Sequence, residues 1–287
     1  MKHVLVTGGK GQLATCIKDL AQELVDYTFI FVDYDELDIT KKEEVTAFFE
    51  METIDFCVNC AAYTAVDKAE SEPQLANAIN SDGVRHLVES CLKHNVQLIH
   101  ISTDFVFDGN QSTPYNESDM TNPLGVYGQG KLHGEEAIIS NLRKYFILRT
   151  SWLYSEHGHN FLKTMLRLGR ERERMSVVCD QIGTPTYAGD LAKVILNIIQ
   201  NNTVKYGIYH YSDEGVASWY DFAHAIFDLG KVNCLLMPIK TEAYPTPAKR
   251  PAYSVMDKSK IKNDLQIEIP YWRDSLVQAI KRMDHNQ

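Results

Sequence analysis

Short apolar runs alternate with amphipathic segments through the first half of the chain. Five runs rich in β-branched and aromatic residues are predicted as strands, at residues 4–7, 29–33, 56–59, 97–102 and 146–150. The segments between them repeat apolar residues every three or four positions, which is typical of helices. Strands that alternate with helices form a parallel sheet covered by helices on both faces. The pattern therefore predicts an α/β fold.

Three helix starts are predicted from residues that cap or begin helices. Thr40 and Glu43 have the spacing of a capping box, Pro73 suits a first helical turn, and Ser218 can cap the apolar segment after it.

A glycine-rich turn stands between the first strand and the first helix, with the sequence GGKGQL at residues 8–13. Glycines permit a tight turn there and let backbone N–H groups at the helix N-terminus approach a pyrophosphate. An ordinary strand-to-helix connection is the alternative, but the position after a first strand favours a dinucleotide site. We predict a Rossmann-type, doubly wound parallel sheet, with the cofactor at Gly8, Gly11, Gln12 and Leu13.

Further cofactor contacts are predicted at the carboxyl ends of the next strands. Asp33 ends the second strand, where an acidic residue can bind the adenosine ribose hydroxyls and favours NAD(H) over NADP(H) by its charge. A turn-forming Asp is the alternative. Ligands bind at the carboxyl ends of strands in open α/β sheets. The remaining predicted cofactor residues are Asp38, Ile39, Ala61, Ala62, Tyr63, Tyr127 and Lys131.

The chain becomes less regular after about residue 150, with aromatic and Pro-rich stretches such as residues 244–251 (YPTPAKRP). Such composition is typical of loops. We predict a dinucleotide-binding domain over residues 1–150 and a smaller, loop-rich, substrate-binding lobe over most of residues 151–287. About 176–210 are expected to return to the cofactor sheet.

A tyrosine and a lysine indicate the chemistry. Tyr127 and Lys131 are four residues apart in a predicted helix, so both side chains can lie on one face. An ammonium beside a phenol lowers the pKa of the phenol, although a solvated surface pair would have the same spacing. Thr103, at the end of the fourth strand, can hydrogen-bond a substrate carbonyl. Together they predict carbonyl reduction, with hydride from nicotinamide and a proton from Tyr127.

Composition excludes several classes of partner. The net charge of −9 disfavours a nucleic-acid or anionic-membrane surface. No apolar run approaches the roughly 20 residues that span a bilayer, and the first residues lack a signal-peptide pattern. Six cysteines are scattered through predicted strands and helices, which suits a reducing compartment. We therefore expect a cytoplasmic enzyme with no nucleic-acid or membrane partner.

These motifs resemble the extended short-chain dehydrogenase/reductase superfamily, with its Gly-x-x-Gly loop and Tyr-x-x-x-Lys helix. Longer runs narrow the resemblance to the dTDP-4-dehydrorhamnose reductases, and the similarity covers almost the whole chain. The runs are residues 59–67 (NCAAYTAVD), 102–109 (STDFVFDG), 149–154 (RTSWLY) and 244–247 (YPTP).

The resemblance implies NAD(P)H-dependent reduction of the C4 ketone of dTDP-4-dehydro-L-rhamnose to dTDP-L-rhamnose, in nucleotide-sugar and cell-surface polysaccharide biosynthesis. It implies that Tyr127 is the proton donor and that Lys131 holds the nicotinamide ribose. Because members of this family accept NADPH and often NADH, either NADP(H) or NAD(H) is expected.

The resemblance also implies a set of substrate contacts. Thr103 and Asp104 would contact the sugar, and Trp152 would pack beside it. Asn160 and Arg250 would lie at the substrate as well, where a guanidinium fork matches diphosphate oxygens. A surface arginine in a Pro-rich loop is the alternative for Arg250.

Two positions depart from the family pattern. Ala14 replaces the usual third glycine of the loop, which should leave the pyrophosphate site usable. Some relatives have an acidic residue just after the loop that helps bind magnesium at a dimer interface, whereas Ala14-Thr15-Cys16 has no carboxylate. We therefore expect no metal, and either a monomer or a homodimer.

Other interpretations of the cysteine pair and of the enzyme class have less support from the sequence. Cys57 and Cys60 form a Cys-x-x-Cys, but the absence of a second pair favours core packing. A dehydratase of this superfamily would have an acid after the Thr-Asp pair, where this chain has Phe105. A nucleotide-sugar epimerase and a cofactor-binding regulatory subunit remain open.

Overall fold

The computed structural model describes residues 1–285. Its first five strands agree with those predicted from the sequence, and seven further strands follow them. In chain order they are β1 Lys2–Thr7, β2 Tyr27–Val32, β3 Phe56–Asn59, β4 Gln97–Thr103, β5 Tyr145–Thr150, β6 Leu153–Tyr154, β7 Arg174–Val178, β8 Ile182–Gly183, β9 Thr186–Tyr187, β10 Gly207–His210, β11 Ala217–Ser218 and β12 Leu235–Ile239.

The helices alternate with the strands in the first half of the chain and follow a less regular order after it. They are α1 Gln12–Ala21, α2 Lys42–Met51, α3 Val66–Ala69, α4 Pro73–Asn77, α5 Gly83–His94, α6 Val126–Asn141, α7 Phe161–Glu171, α8 Ala188–Gln200, α9 Trp219–Leu229, α10 Ser259–Leu265 and α11 Trp272–His285. A π-helical turn at Ala78–Asp82 joins α4 to α5, and a 3₁₀ turn at Asp104–Val106 follows β4. Within residues 1–285, no helix combines the length and apolarity needed to cross a bilayer.

A six-stranded sheet in the order β2-β1-β3-β4-β5-β10 forms the centre of the fold, and every neighbouring pair is parallel. The chain moves from β1 to β2 on one side and then continues with β3 on the other side of β1. The predicted Rossmann-type fold is therefore confirmed. A ligand crevice is expected beyond the carboxyl ends of β1 and β3, where this change of direction occurs.

The core lies on both faces of this sheet, because successive side chains of a strand point to opposite faces. Val4 and Val6 of β1 pack in one cluster with α1 and α8, whereas Leu5 packs in the other with α2 and α5. Helix α8 and strand β10 thus share the sheet and core of the first 150 residues.

A third hydrophobic cluster centres on α7, α9 and α11. Leu162, Phe222, Ile226 and Leu276 are fully buried there. Short strand pairs surround it, namely β7 with β12, β8 with β11 and β6 with β9. This smaller lobe lies next to the main sheet through β6, which follows β5 after two residues.

Two of the three predicted helix starts are confirmed. Pro73 begins α4, and Ser218 forms a capping box with Asp221, whose N–H donates to the Ser218 hydroxyl at 3.0 Å. The predicted Thr40–Glu43 capping box is wrong. Helix α2 begins at Lys42, and the Thr40 hydroxyl donates to Asp38 at 2.7 Å. A neighbouring carboxylate satisfies Thr40 before the helix begins.

Candidate active site

The glycine-rich turn is held close to the end of β3. Gly8 has a φ of +65°, and a Cβ there would lie 2.8 Å from the backbone nitrogen of Ala61. Gly11 precedes α1, whose first turn has no side-chain cap. Gln12 and Leu13 open that helix, and Leu13 packs in the core, so its contact with a cofactor would come from its backbone. A tight turn before an uncapped helix N-terminus fits a pyrophosphate.

Asp33 fixes this turn from the neighbouring strand. Its carboxylate accepts hydrogen bonds from the backbone N–H of Lys10 at 2.7 Å and of Tyr34 at 2.8 Å. The Lys10 ammonium pairs with Asp35 at 2.6 Å. Asp33 therefore holds the glycine-rich turn in place. Its predicted contact with the adenosine ribose would be made from the same position.

The side chains of Asp38 and Ile39, two of the predicted cofactor residues, are buried and cannot reach a bound cofactor. Asp38 accepts hydrogen bonds from Thr40, and Ile39 packs against Gly83. Contacts from these two positions would have to come from their backbone.

The loop after β3 is held by Asn80. Its side-chain oxygen accepts from the Tyr63 N–H at 2.9 Å, and its amide donates to the Tyr63 carbonyl at 3.0 Å. Asn80 is fully buried in the π-helical turn, and such turns frequently occur at functional sites. The orientation of Ala61, Ala62 and Tyr63 thus depends on a residue that was not predicted from the sequence.

Tyr127 and Lys131 lie one turn apart near the start of α6. Tyr127 is partly buried, and its ring meets that of Phe105 edge-on at 5.7 Å. Lys131 is buried, and its ammonium group donates to the carbonyl of Ile101 at 2.6 Å. Both residues therefore pack against the end of β4.

The expectation that Lys131 lowers the pKa of Tyr127 is wrong. Burial raises the pKa of Tyr127 to about 12, while the Thr103 hydroxyl lowers it by a lesser amount and the Asp104 carboxylate adds a still smaller rise. Burial also lowers the pKa of Lys131 to about 8. Desolvation disfavours both charged forms. Tyr127 consequently keeps its proton near neutral pH, which is the state that a proton donor requires.

Thr103 and Asp104 form the turn that faces this helix. Thr103 caps the 3₁₀ turn by accepting from the Phe105 N–H at 3.1 Å, and its hydroxyl donates to Asp104 at 3.1 Å. Asp104 is buried, and one of its oxygens has no hydrogen-bond partner among the described residues. Burial raises the pKa of Asp104 to about 6. This turn combines a hydroxyl with a carboxyl whose pKa is raised by burial.

Trp152 lies just beyond the end of β5. Its φ of +46° is unusual for a bulky residue, and its ring stacks on that of Trp219 at 3.6 Å. Backbone strain of this kind persists where the surroundings hold the residue in place. Trp152 therefore has a fixed orientation between the sheet edge and the second lobe.

Asn160 and Arg250 have protein partners. Asn160 caps α7 through its side-chain oxygen, and its amide donates to the carbonyls of Ser155 and His157 at 2.8 and 3.0 Å. Arg250 makes a two-pronged ion pair with Asp67, at 3.0 and 2.8 Å. Asp67 lies in α3, the short helix that follows β3, so this pair connects the Pro-rich segment with the main sheet.

The strand register brings these groups to one edge. Thr7 is paired with Asn59, Asn59 with His100, and Thr103 with Thr150. The residues that follow β1, β3, β4 and β5 therefore lie along the same side of the sheet. A dinucleotide at the glycine turn would extend past the loop after β3 toward Tyr127.

A buried polar network supports this edge. Arg149 binds Glu135 at 3.0 and 2.6 Å, and the Ser102 hydroxyl donates to the same carboxylate at 2.5 Å. Glu135, one turn after Lys131 on α6, was not predicted. An isolated Glu in a helix reads as a solvated residue, and only the tertiary fold shows that it is buried with a partner.

Possible metal ligands are already engaged. Within residues 1–285, a group of three such residues (Cys16, Glu156 and His157) has donor atoms within 4.8 Å of one another. However, Glu156 accepts from the Tyr187 hydroxyl at 2.9 Å, and His157 contacts Asp19 at 2.7 Å. The expectation of no metal stays a prediction. Cys57 is buried, and burial raises the pKa of the Cys60 thiol to about 12, so core packing accounts for the Cys-x-x-Cys.

Known proteins of one family are similar to almost the whole of this chain. A family model described as the RmlD substrate binding domain matches residues 1–285. The chain belongs to this family. A dTDP-4-dehydrorhamnose reductase of Aggregatibacter actinomycetemcomitans is 45% identical over 96% of this chain and 97% of its own length. One of Sinorhizobium fredii is 40% identical over 95% of each.

Solved structures of this RmlD family have the same fold. A dTDP-4-dehydrorhamnose reductase of Clostridium acetobutylicum superposes with a TM-score of 0.95 at 39% identity, covering 98% of this chain and 99% of that one. The enzyme of Bacillus anthracis, solved with NADP, gives 0.95 at 38% identity, with coverage of 98% and 100%. A UDP-glucose 4-epimerase of Thermotoga maritima, at 18% identity and a TM-score of 0.83 over 99% of both chains, shares the fold.

Proposed function

We propose that this protein reduces the C4 ketone of dTDP-4-dehydro-L-rhamnose to a hydroxyl, giving dTDP-L-rhamnose, with NADPH or NADH as the electron donor. The observation that carries the proposal is the packing of α6 against the Thr103–Asp104 turn. This packing brings a neutral phenol, a buried lysine and a hydroxyl to the edge where a dinucleotide would end.

The glycine turn fits the proposed coenzyme, because a Cβ at Gly8 would fill space bounded by Ala61. Gly8, Gly11, Gln12 and Leu13 would hold the pyrophosphate, and the loop at Ala61–Tyr63 would lie beside the middle of the coenzyme. Lys131 would bind the nicotinamide ribose. When bound, the reduced coenzyme supplies the hydride.

Residues of the protein then supply the proton and orient the ketone. Tyr127 donates its proton to the C4 oxygen, because burial keeps the phenol neutral until that oxygen gains negative charge. Thr103 hydrogen-bonds the same oxygen and orients the ketone. Asp104 contacts a sugar hydroxyl, and Trp152 packs on the sugar face.

The substrate would lie between two parts of the chain. Residues 1–150 form the dinucleotide-binding domain in this proposal, and most of residues 151–287 form the substrate lobe, with about 176–210 returned to the cofactor sheet. Arg250 would contact the diphosphate, and Asn160 would shape the pocket by capping α7. A charged group such as Arg250 suits the diphosphate of a nucleotide-linked sugar, and a stacking group such as Trp152 suits its sugar ring.

We further infer that the enzyme acts in the cytoplasm as a monomer or homodimer. Six cysteines are unpaired, which fits a reducing compartment. The net charge of −9 supports a small-molecule substrate rather than nucleic acid.

Incubation of the purified protein with NADPH and the keto-sugar tests the proposal. We expect NADPH oxidation that depends on the keto-sugar, with dTDP-L-rhamnose formed in equal amount. A regulatory subunit would bind NADPH without oxidising it, and an epimerase would change the sugar without net consumption of NADPH. Either result would overturn the proposal.

A further inference from the structure

A row of buried polar groups connects the loop after β3 with Lys131. The Ala61 N–H lies 3.4 Å from the Thr7 hydroxyl oxygen, and that hydroxyl donates to the Asn59 side-chain oxygen at 2.7 Å. The Asn59 amide nitrogen lies 3.0 Å from Nδ1 of His100, and Nε2 of His100 lies 3.3 Å from Nζ of Lys131. All four side chains are buried.

The direction of these hydrogen bonds fixes the tautomer of His100. Since the Asn59 oxygen is occupied by Thr7, Asn59 presents its amide N–H to Nδ1, which must accept. A neutral imidazole with an accepting Nδ1 has its proton on Nε2. Burial and the nearby Lys131 lower the pKa of His100, so the ring stays neutral. The N–H of Nε2 is therefore directed at Lys131.

We propose that His100 is a positioning residue that donates a hydrogen bond to the uncharged amine of Lys131 and thereby disfavours its ammonium form. An ammonium group has no lone pair to accept from His100, whereas the amine has one. A hydrogen bond to the neutral form of a base lowers its pKa. The proposal deepens the proposed function, on which it rests, because it names a group that adds to the effect of burial on the charge of the lysine at the nicotinamide ribose.

The other groups around Lys131 leave this role to His100. From β4, the Ile101 carbonyl accepts from Lys131 in either charge state. From the end of β3, Cys60 stays a neutral thiol, because burial raises its pKa. On α6 itself, Tyr127 is neutral near pH 7, and the carboxylate of Glu135, which favours the ammonium, is engaged by Arg149.

The experiment is the pH dependence of kcat/KM for NADPH at a saturating concentration of the keto-sugar. Above the pKa of Lys131, about 8, the ammonium that holds the ribose is lost and kcat/KM should fall. In His100→Leu the donor is absent, so the midpoint of this fall should move up by about one pH unit. In His100→Gln the midpoint should stay within about 0.3 unit of wild type. There Asn59 orients the Gln oxygen, which leaves the Gln amide to donate to Lys131.

Asn59→Leu is an independent test that keeps the histidine. Without the Asn59 donor, His100 can hold its proton on Nδ1 and offer a lone pair to the ammonium, so the midpoint should again rise. His210→Gln is the matched control, because His210 is equally buried but contacts the Tyr115 carbonyl and Arg149. Its midpoint should equal that of wild type.

The outcomes separate this proposal from the proposed function. If wild type fails to oxidise NADPH with the keto-sugar, the proposed function is wrong. If wild type is active but neither His100→Leu nor Asn59→Leu moves the midpoint, the role of His100 is wrong. An equal shift in His210→Gln or His100→Gln would also overturn it, because the shift would then come from general packing. Should His100→Leu fail to fold, Asn59→Leu alone decides.

Discussion

Gly128 lies directly against the main-chain carbonyl of Phe105, and a Cβ at position 128 would be 2.3 Å from that oxygen. This close approach sets how near α6 comes to the turn after β4. Because Tyr127 and Lys131 are on that helix and Thr103 and Asp104 are on that turn, one glycine determines the distance between the two halves of the proposed catalytic group.

Gly128→Ala should therefore reduce activity without removing any functional side chain. The added methyl meets backbone rather than a movable side chain, so the helix must shift, and a displacement of about 1 Å can lower kcat by about 100-fold. Gly130→Ala is the control on the same helix, where the new Cβ would lie 3.2 Å from the Asn77 side chain. We expect Gly130→Ala to lower kcat much less than Gly128→Ala does. Steady-state kinetics of both variants would check this, and equal losses would contradict it.

Asp104 should make folding stability depend on pH. Burial raises its pKa from 3.8 to about 6, so the folded protein holds this proton more tightly than the unfolded chain. Its contribution is present below pH 4 and is lost as the pH rises toward 6. Asp104→Asn removes this loss. Its stability relative to wild type should rise by about 2 kcal/mol between pH 4 and pH 7, as measured by urea unfolding.

Asp108→Asn should show the opposite sign. A hydrogen bond from the backbone N–H of Asn110 lowers the pKa of Asp108, so its carboxylate stabilises the fold at neutral pH and stops doing so in acid. The variant should be less stable than wild type at pH 7 and approach it at low pH. The same trend in both variants would show that the Asp104 account is wrong.

Arg250 and Asp67 should affect substrate binding in opposite directions. Arg250→Lys loses the two-pronged geometry that suits a diphosphate, so the KM for the keto-sugar should rise about tenfold. Asp67→Asn removes the negative charge that competes with a diphosphate for the guanidinium, while Arg250 keeps its hydrogen bond to the Thr246 hydroxyl, so KM should fall. Initial-rate measurements at saturating NADPH would distinguish these effects. A rise in KM for both variants would mean that the Arg250–Asp67 ion pair only holds the Pro-rich segment in place and that Arg250 does not bind the diphosphate.

The architecture followed from local patterns, whereas much of the site did not. The five strands before residue 151 and the glycine turn were predictable, because alternation and turn chemistry are local. Asn80 and His100 were missed, because an isolated Asn or His has no sequence signal until the fold provides its partner. The Asn80 turn is π-helical, which periodicity does not predict.

Charge states were the hardest property to predict. The spacing of Tyr127 and Lys131 indicated their shared helix face correctly, but the expected fall in the tyrosine pKa ignored desolvation, which acts on both residues. Likewise, Arg250 was predicted to contact a diphosphate, and only the structure shows the Asp67 carboxylate beside it. In each case the property depends on residues that are distant in sequence and come close only in the folded protein.

The central claim is that the hydroxyl of Tyr127 supplies the proton. Tyr127→Phe removes that hydroxyl while keeping the ring against Phe105, and its kcat with NADPH and the keto-sugar should fall by about 10²- to 10⁴-fold. Its Kd for NADPH should stay within about twofold of wild type, whereas Lys131→Ala should impair both kcat and NADPH binding. A Tyr127→Phe protein that reduces the keto-sugar at the wild-type rate would contradict the account.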